Sequence, residues 1–270
     1  MFDLGLGVSI DAITGAMDYE TIELLEKSTV STFEWSPWCF WTDYDGEIRT
    51  EFIRMIQRTG KRVISYHVPF KKVDDIADPD ETVRLRAMSR FRTHIHEASR
   101  LNSELLIIHP STEPIDQTKR DVYISQLRKS MLEIEGELKL NNMKIALEFL
   151  PRLCMGNTLD DMEKMLDGMS DRFGVCLDVN HIMDQYPQIP AIIRALGKKL
   201  FTLHICDYDG VDEKHWMPFK GVIDFKAMLE ALAEIGYTGP FNYETGRANA
   251  EAPECLAAIE ENYSAMRKLL

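Results

Sequence analysis

Apolar and β-rich runs recur along the chain, and most are separated by segments with the periodicity of an amphipathic helix. Helical spacing is clear in stretches such as TIELLEKS, LDDMEKMLDGM and DFKAMLEALAEIG, and again in ECLAAIEENYSAMRKLL. The pattern predicts eight strands that alternate with helices. The predicted strands cover residues 4–10, 32–35, 62–67, 105–109, 144–148, 174–178, 200–204 and 240–244.

The predicted strands are continuous apolar runs, which are typical of parallel sheets covered on both faces. Eight strand–helix units in 270 residues match the size and pattern of a (β/α)8 TIM barrel. A doubly wound open sheet is the alternative, but it would more often carry a glycine-rich phosphate loop, and DAITGAMD has neither phosphate-loop spacing. Because no linker rich in Pro, Gly or Ser divides the chain, we expect one domain over residues 1–270.

Composition and charge argue against several classes of protein. With 45% hydrophobic residues the chain can bury a large core, but no run approaches the ~18 apolar residues of a membrane span. MFDLGLGVSIDAI lacks the basic start and cleavage site of a signal peptide, so we expect a cytoplasmic protein. The five cysteines are scattered without a CxxC pair, which argues against disulfides and a thiolate zinc site. A net charge of -13 disfavours extended nucleic-acid binding.

Metal-capable side chains stand at the ends of six consecutive predicted strands. In TIM barrels the active site lies at the C-terminal ends of the strands. Neighbouring strands stand about 4.8 Å apart, so the ends of strands five to eight can converge on one point. Three carboxylates and one imidazole there would suit Mn²⁺, Co²⁺, Mg²⁺ or Zn²⁺. The six residues are His67, His109, Glu148, Asp178, His204 and Glu244.

Each of these residues also has a simpler explanation when it is taken alone. Asp178 could be a helix cap or a solvated loop residue, and His204 could be a core histidine with its hydrogen bonds satisfied. Glu148 is harder to explain in this way, because apolar residues flank it on both sides and a buried carboxylate needs a partner. Four such residues on adjacent strands therefore favour a metal site.

Other side chains near the predicted barrel mouth are candidates for binding substrate. His181 could bind a substrate oxygen, bind a second metal ion or cap the next helix. His67 and His109 could hydrogen-bond substrate hydroxyls or form a second metal site with Glu148. The tryptophans of EWSPWCFW at 34–41, with Trp35 as the candidate, could form an apolar wall over the mouth or pack in the core.

The loop after strand seven, CDYDGVDEKHWMPFKGVIDF, is long for a connection between a strand and a helix. Long loops at this face usually hold substrate. The loop carries His215, which is a further candidate for substrate binding.

These motifs resemble the xylose isomerase-like TIM-barrel superfamily, which joins sugar isomerases and epimerases, some dehydratases and the apurinic endonucleases. The resemblance covers nearly the whole chain. In the loop after strand seven, Phe219 and Lys220 stand where the family often has glycine and an acidic residue. The most specific pieces are ALEF with Glu148, LDxxH with Asp178 and His181, LHICDYDG with His204, HWMPFKGVIDF with His215, and NYE with Glu244.

The resemblance implies roles for individual residues. His181 corresponds to a residue that contacts substrate oxygens. The arginine that often follows the metal-binding histidine by six residues is replaced by Gly210, so Lys214, Lys220 or Arg247 would supply the cation, or the substrate differs. The residues that correspond to the metal ligands of ketose epimerases, in which the two glutamates also move protons, are Glu148, Asp178, His204 and Glu244.

The predicted function is a metal-dependent isomerase or epimerase of a sugar or sugar phosphate, working through an enediolate. A dehydratase of a keto-polyol or keto-acid and a non-catalytic sugar-binding barrel are alternatives. A zinc apurinic endonuclease is a further one, because the candidate histidines and acids, with Glu213, nearly reproduce its trinuclear shell. The mouth loops lack basic runs, so we expect a carbohydrate substrate and no nucleic acid. The resemblance permits a homo-oligomer.

Overall fold

The computed structural model describes residues 4–40, 46–247 and 249–269. Eight parallel strands pair in sequence order, and β1 pairs with β8 to close the barrel. The predicted (β/α)8 TIM barrel is therefore confirmed, and the open sheet is excluded. The strands are β1 Leu6–Ser9, β2 Thr32–Trp35, β3 Arg62–His67, β4 Leu105–Ile108, β5 Lys144–Glu148, β6 Phe173–Asp178, β7 Leu200–Ile205 and β8 Phe241–Tyr243.

One helix follows each strand and packs outside the barrel. Several helices begin at a side chain that accepts a hydrogen bond from a free backbone N–H of the first turn, as Asp18, Asp80, Thr158 and Asp224 do. The helices are α1 Tyr19–Lys27, α2 Gly46–Arg58, α3 Glu81–Arg100, α4 Arg120–Leu140, α5 Leu159–Leu166, α6 Ile189–Leu196, α7 Phe225–Glu234 and α8 Ala252–Met266.

The hydrophobic core has two parts. The larger part lies between the strands and the helices, and the smaller part is a cluster of four residues from β4, β5 and β6. Because alternate side chains of a barrel strand point inward and outward, the small cluster lies in the barrel interior. None of the described helices is long and apolar enough to cross a membrane. The small cluster consists of Leu105, Ile107, Ala146 and Cys176.

Strand register sets where the polar side chains meet. Glu148 and Asp178 are the last residues of β5 and β6, and Asp178 pairs with His204 of β7. Glu244 comes directly after β8, and its N–H donates to the carbonyl of Ile205 in β7 at 3.1 Å. The four adjacent strands therefore deliver four metal-capable side chains to the C-terminal end of the barrel.

Candidate metal centre

Four side chains from adjacent strands converge at the mouth of the barrel. Glu148, Asp178, His204 and Glu244 each offer one ligand atom, and these atoms all lie within 4.8 Å of one another. Glu148, Asp178 and His204 are buried, and the side chain of Glu244 is 16% exposed. The group therefore combines carboxylate oxygens and an imidazole nitrogen around one partly open point.

The ligand atoms of this group are crowded together, and two of them lack a well-aligned hydrogen bond. Among the described residues, Oδ2 of Asp178 and Nδ1 of His204 are buried without a hydrogen-bond partner. Nδ1 of His204 lies 2.8 Å from Oε2 of Glu244 and 3.4 Å from Oε1 of Glu148. The second oxygen of Asp178 accepts a hydrogen bond from the N–H of Asn180 at 2.8 Å, which orients the carboxylate. These donors fit a divalent metal ion.

Among the described residues, three further groups of possible ligands overlap the first, and one of them joins His67 to His204 and Glu244. Nε2 of His67 and Nε2 of His109 lie 3.0 Å and 3.2 Å from Oε2 of Glu148. His181 and His215 form another group with Asp178. The structure therefore brings all four histidines that the sequence predicted as substrate contacts to the region of the metal-capable carboxylates.

The two glutamates of the centre differ in their electrostatic environment. Burial acts to raise the pKa of Glu148, but the neighbouring rings of His109 and His204 lower it well below its ordinary value. Burial raises the pKa of Glu244 to about 7, although His204 acts in the opposite direction. A carboxylate surrounded by histidines is stabilised as the anion, whereas for Glu244 the cost of burial outweighs the attraction of His204.

The histidines respond to the same negative charge. Burial acts against protonation, but Asp178 and Glu148 raise the pKa of His181 to about 10. Burial also opposes protonation of His67, and the hydrogen bond to Glu148 still raises its pKa to about 9. Burial lowers the pKa of His109. Because the acidic groups attract protons to these rings, a metal ion at the centre would compete with protons for the same site.

An open cavity of about 900 Å³ lies above the centre. It has room for a ligand larger than the metal ion alone, and it is of the size usual for small-molecule sites. Its wall includes polar, charged and aromatic side chains. Those that the sequence predicted for binding substrate and that line the cavity are His67, His109, His181 and His215.

Comparison with known proteins gives the family. The profile described as xylose isomerase-like TIM barrel matches residues 14–269. The chain belongs to this family. The resemblance predicted from the motifs is thereby confirmed.

The relatives of this xylose isomerase-like barrel include sugar-processing enzymes. Inosose isomerase of Bacillus subtilis is 30% identical over 142 residues, which are 48% of this chain and 51% of that protein. An uncharacterized protein of Sinorhizobium fredii is 26% identical over 195 residues, 70% of this chain. The chain thus spans 51% and 58% of the length of these two relatives.

Solved structures share the whole barrel. The IolI protein with a bound zinc atom has a TM-score of 0.83 at 20% identity, covering 99% of each chain. A D-tagatose 3-epimerase-like protein has a TM-score of 0.81 at 22% identity, covering 98% of this chain and 99% of that one. At these identities the likeness supports the fold.

Two predicted substrate contacts of this xylose isomerase-like barrel do not line the cavity above the centre. Trp35 is 3% exposed and belongs to the core between the strands and the helices, because Glu34, its neighbour in β2, points into the barrel. Lys220 is exposed and lines a neighbouring pocket instead of the cavity. Trp38 lines the cavity in place of Trp35, with its ring centre 5.0 Å from that of His67. Trp41 lies outside the described residues.

The other two cations named from the sequence do reach the cavity of this barrel. Lys214 and Arg247 line it together, because the N–H of Gly246 donates to the carbonyl of His215 at 2.7 Å and joins the two loops. Arg152 also lines it, but its guanidinium is paired with acidic residues at distances of 2.7 Å and 3.1 Å. Nζ of Lys214 lies 3.7 Å from Oδ2 of Asp212, a longer and more exposed contact, so Lys214 and Arg247 are the better-placed cations for a negatively charged substrate group.

The sequence analysis missed Glu34 and Asp11. Glu34 is completely buried next to His204, and Asp11 lines the cavity and accepts a hydrogen bond from Nε1 of Trp38 at 3.1 Å. A signal for Glu34 exists in the sequence. It is a carboxylate between Phe33 and Trp35 in a short β-rich run, the same pattern that singled out Glu148.

Proposed function

We propose that this chain is a divalent-metal-dependent isomerase or epimerase of a sugar or sugar phosphate. The observation that carries the proposal is the convergence of four ligand atoms within 4.8 Å at the barrel mouth. Support comes from relatives named inosose isomerase and from similar structures named as a 3-epimerase-like protein and as a zinc-bound protein.

The metal ion would be held by Glu148, Asp178, His204 and Glu244. Mn²⁺, Co²⁺, Mg²⁺ and Zn²⁺ all suit this donor set. A bound divalent ion supplies Lewis acidity, which stabilises negative charge on the oxygens of a carbonyl and an adjacent hydroxyl. Without such stabilisation a hydrogen on the neighbouring carbon is too weakly acidic for a carboxylate to remove at a useful rate.

Glu148 and Glu244 would move the proton. They arrive from β5 and from the end of β8, so their carboxylates can approach a bound substrate from different sides. One carboxylate removes the carbon-bound proton and the other returns a proton, as general base and general acid. Epimerisation requires proton transfer on both faces of the carbon, whereas isomerisation requires it on one.

The cavity wall would bind and orient the substrate. The rings of His67, His109, His181 and His215 offer N–H donors and nitrogen acceptors to substrate hydroxyls, and all four line the cavity. Trp38 offers an aromatic surface of the kind that often contacts sugars. A cytoplasmic location and a homo-oligomeric state remain predictions from the sequence.

Hydrogen exchange tests this proposal. The protein is loaded with Mn²⁺ or Zn²⁺, its metal content is measured, and a panel of ketoses and ketose phosphates is incubated with it in heavy water. For at least one substrate, proton NMR should show loss of the signal of the hydrogen on the carbon next to the carbonyl. No exchange with any member of the panel, at full metal occupancy, would reject the proposal.

Variants connect this activity to the residues. Glu148→Gln should lower the exchange rate by at least about 100-fold, because it removes a metal ligand and a proton carrier together. Glu104→Gln is the matched control, because Glu104 is exposed and pairs with Arg62 at the N-terminal end of the barrel. Full activity of the Glu148→Gln variant would remove the mechanism.

An apurinic endonuclease is the second candidate. The additional groups formed by His67, His109 and Glu148, and by Asp178, His181 and His215, favour it because they could hold further ions. Cleavage of abasic DNA by the zinc-loaded protein would support this activity over the isomerase. Loss of water from a keto-polyol or keto-acid, in place of exchange alone, would identify a dehydratase.

A further inference from the structure

Glu34 occupies the interior of the barrel beneath the candidate metal centre. It lies in β2, and its side chain is completely buried. Its carboxylate faces the ring of His204, whose Nε2 lies 3.0 Å from Oε1 and hydrogen-bonds Oε2 at 3.2 Å. The hydroxyl of Ser65 donates to Oε2 of Glu34 at 2.8 Å. Glu34 is therefore oriented from one side by Ser65 and faces His204 on the other.

The two nitrogens of His204 face different partners. Nε2 faces Glu34, whereas Nδ1 faces the other ligand atoms, at 2.8 Å from Glu244, 3.4 Å from Glu148 and 3.9 Å from Asp178. A carboxylate accepts hydrogen bonds and, when ionised, cannot donate them. A neutral imidazole carries one proton, so a proton held on Nε2 leaves the lone pair of Nδ1 free.

We propose that Glu34 is a positioning residue that holds a proton on Nε2 of His204 and thereby presents Nδ1 to the metal ion. The proposal rests on the proposed function, because it assigns His204 as a ligand. Hydrogen bonding of a ligand's second nitrogen to a carboxylate also makes the ligand more basic and keeps the ring in one orientation.

A purely structural role explains Glu34 poorly. A carboxylate inside a barrel costs desolvation energy, and an apolar residue of the same size would fill the space without that cost. The position of Glu34 is explained if the ring of His204 above it needs an acceptor for an N–H on Nε2.

Metal affinity provides the first test. Zinc binding is measured by calorimetry for the wild-type protein and for Glu34→Met, Glu34→Gln and Ser65→Ala. Glu34→Met removes the acceptor at nearly constant volume and should weaken binding by about 10- to 100-fold. Glu34→Gln keeps an acceptor oxygen without charge and should lose less zinc affinity than Glu34→Met. Ser65→Ala should lose the least zinc affinity of the three variants.

The control for buried charge is Asp161→Asn. Asp161 is buried and bonded to Arg120 and to the N–H of Gly156, away from Glu34. This variant should keep wild-type zinc affinity even where it lowers the free energy of unfolding. If Glu34→Met does not fold, the comparison of Glu34→Gln with Asp161→Asn decides. If every Glu34 variant that folds binds zinc with wild-type affinity, the proposal is overturned.

Histidine NMR of the metal-free protein gives a second readout, which does not require a bound metal ion. In the metal-free protein labelled with ¹⁵N-histidine, Nε2 of His204 should carry a proton, and that proton should be protected from solvent exchange. Glu34→Gln should lose this protection, whereas Asp161→Asn should keep it. An unprotonated Nε2 in the wild-type protein would overturn the positioning role. A protonated Nε2 together with no binding of Zn²⁺, Mn²⁺, Co²⁺ or Mg²⁺ would reject the proposed function and leave the Glu34 contact in place.

Discussion

The loop between β7 and α7 depends on the carboxylate of Asp207. Oδ1 accepts hydrogen bonds from the N–H groups of Tyr208 at 3.0 Å and Ile223 at 3.1 Å, and Oδ2 accepts one from Gly221 at 2.8 Å. The loop also contains His215, whose φ of 47° lies in the left-handed region that non-glycine residues disfavour. Asp207 therefore joins the two ends of the loop that carries His215 to the cavity.

The effect of Asp207→Ala follows from these bonds. Gly221 is exposed, so water can replace the lost acceptor there, but Tyr208 and Ile223 are buried. Each unsatisfied buried N–H group costs about 1–3 kcal/mol, and relaxation of the loop reduces this cost. For the two groups together we expect a loss of about 3 kcal/mol in the free energy of unfolding. For a chain of this size the melting temperature should fall by roughly 6–12 °C.

Graded variants test the reasoning by urea and thermal denaturation. Asp207→Asn keeps Oδ1 as an acceptor. Because burial raises the pKa of Asp207, loss of its charge is not itself costly. We therefore expect this variant to lose about 1 kcal/mol in the free energy of unfolding. Gly221→Ala should also disturb the loop, since a Cβ there would lie 2.0 Å from the carbonyl of Tyr208. A loss below about 0.5 kcal/mol for Asp207→Ala, or equal losses for Ala and Asn, would refute the account.

Three further predictions concern the core and the metal. Trp38→Ala should raise KM and lower stability less than Trp35→Ala, which should cost about 3–5 kcal/mol in urea denaturation because its ring is buried; equal stability losses would contradict this. Gly174→Ala should lower stability by about 1–3 kcal/mol, since its Cβ would lie 2.6 Å from the carbonyl of Lys199 and the ring of Phe201. A metal ion at 100 times its Kd should stabilise the protein by about 2.7 kcal/mol. A chelator should remove both this stabilisation and the activity. A melting temperature that does not change when metal is added would count against the metal centre.

The strand ends were predictable because a short stretch of sequence around each of them is enough to indicate where the strand stops. Continuous apolar runs that stop at a polar residue predicted the ends of β5 and β6 at Glu148 and Asp178, and both strands end there. His109 and Glu244 follow β4 and β8 directly. Since all strands of a parallel barrel point the same way, strand ends predicted to within one residue were enough to predict that the four candidate ligands lie together.

Side-chain direction in a short strand was not predictable in the same way. β2 has four residues, TFEW, and either alternate pair can point inward. An aromatic residue at the end of the strand was assigned to the mouth, but Phe33 and Trp35 face the helices while Glu34 faces the barrel axis. Only the closed sheet determines this choice, because Glu34 must meet Ser65 and His204 from other strands.

Loop geometry limited the prediction for the cations. Lys214 and Lys220 are six residues apart in one loop, and the sequence does not say which of them faces the cavity. Left-handed backbone at His215 and Phe219 turns the chain between them, so that Lys214 stays at the cavity and Lys220 lines the neighbouring pocket. Such turns at non-glycine residues leave no clear sequence signal.

The central claim is that the four side chains at the ends of β5 to β8 bind a divalent ion. A crystal grown with Zn²⁺ and measured at the zinc absorption edge tests it directly, because anomalous difference density locates the metal without reference to the surrounding side chains. The account predicts a peak at about 2.0–2.2 Å from one atom each of Glu148, Asp178, His204 and Glu244, with Nδ1 as the histidine ligand. Density only between His67 and His109, or none at the barrel mouth, would contradict it.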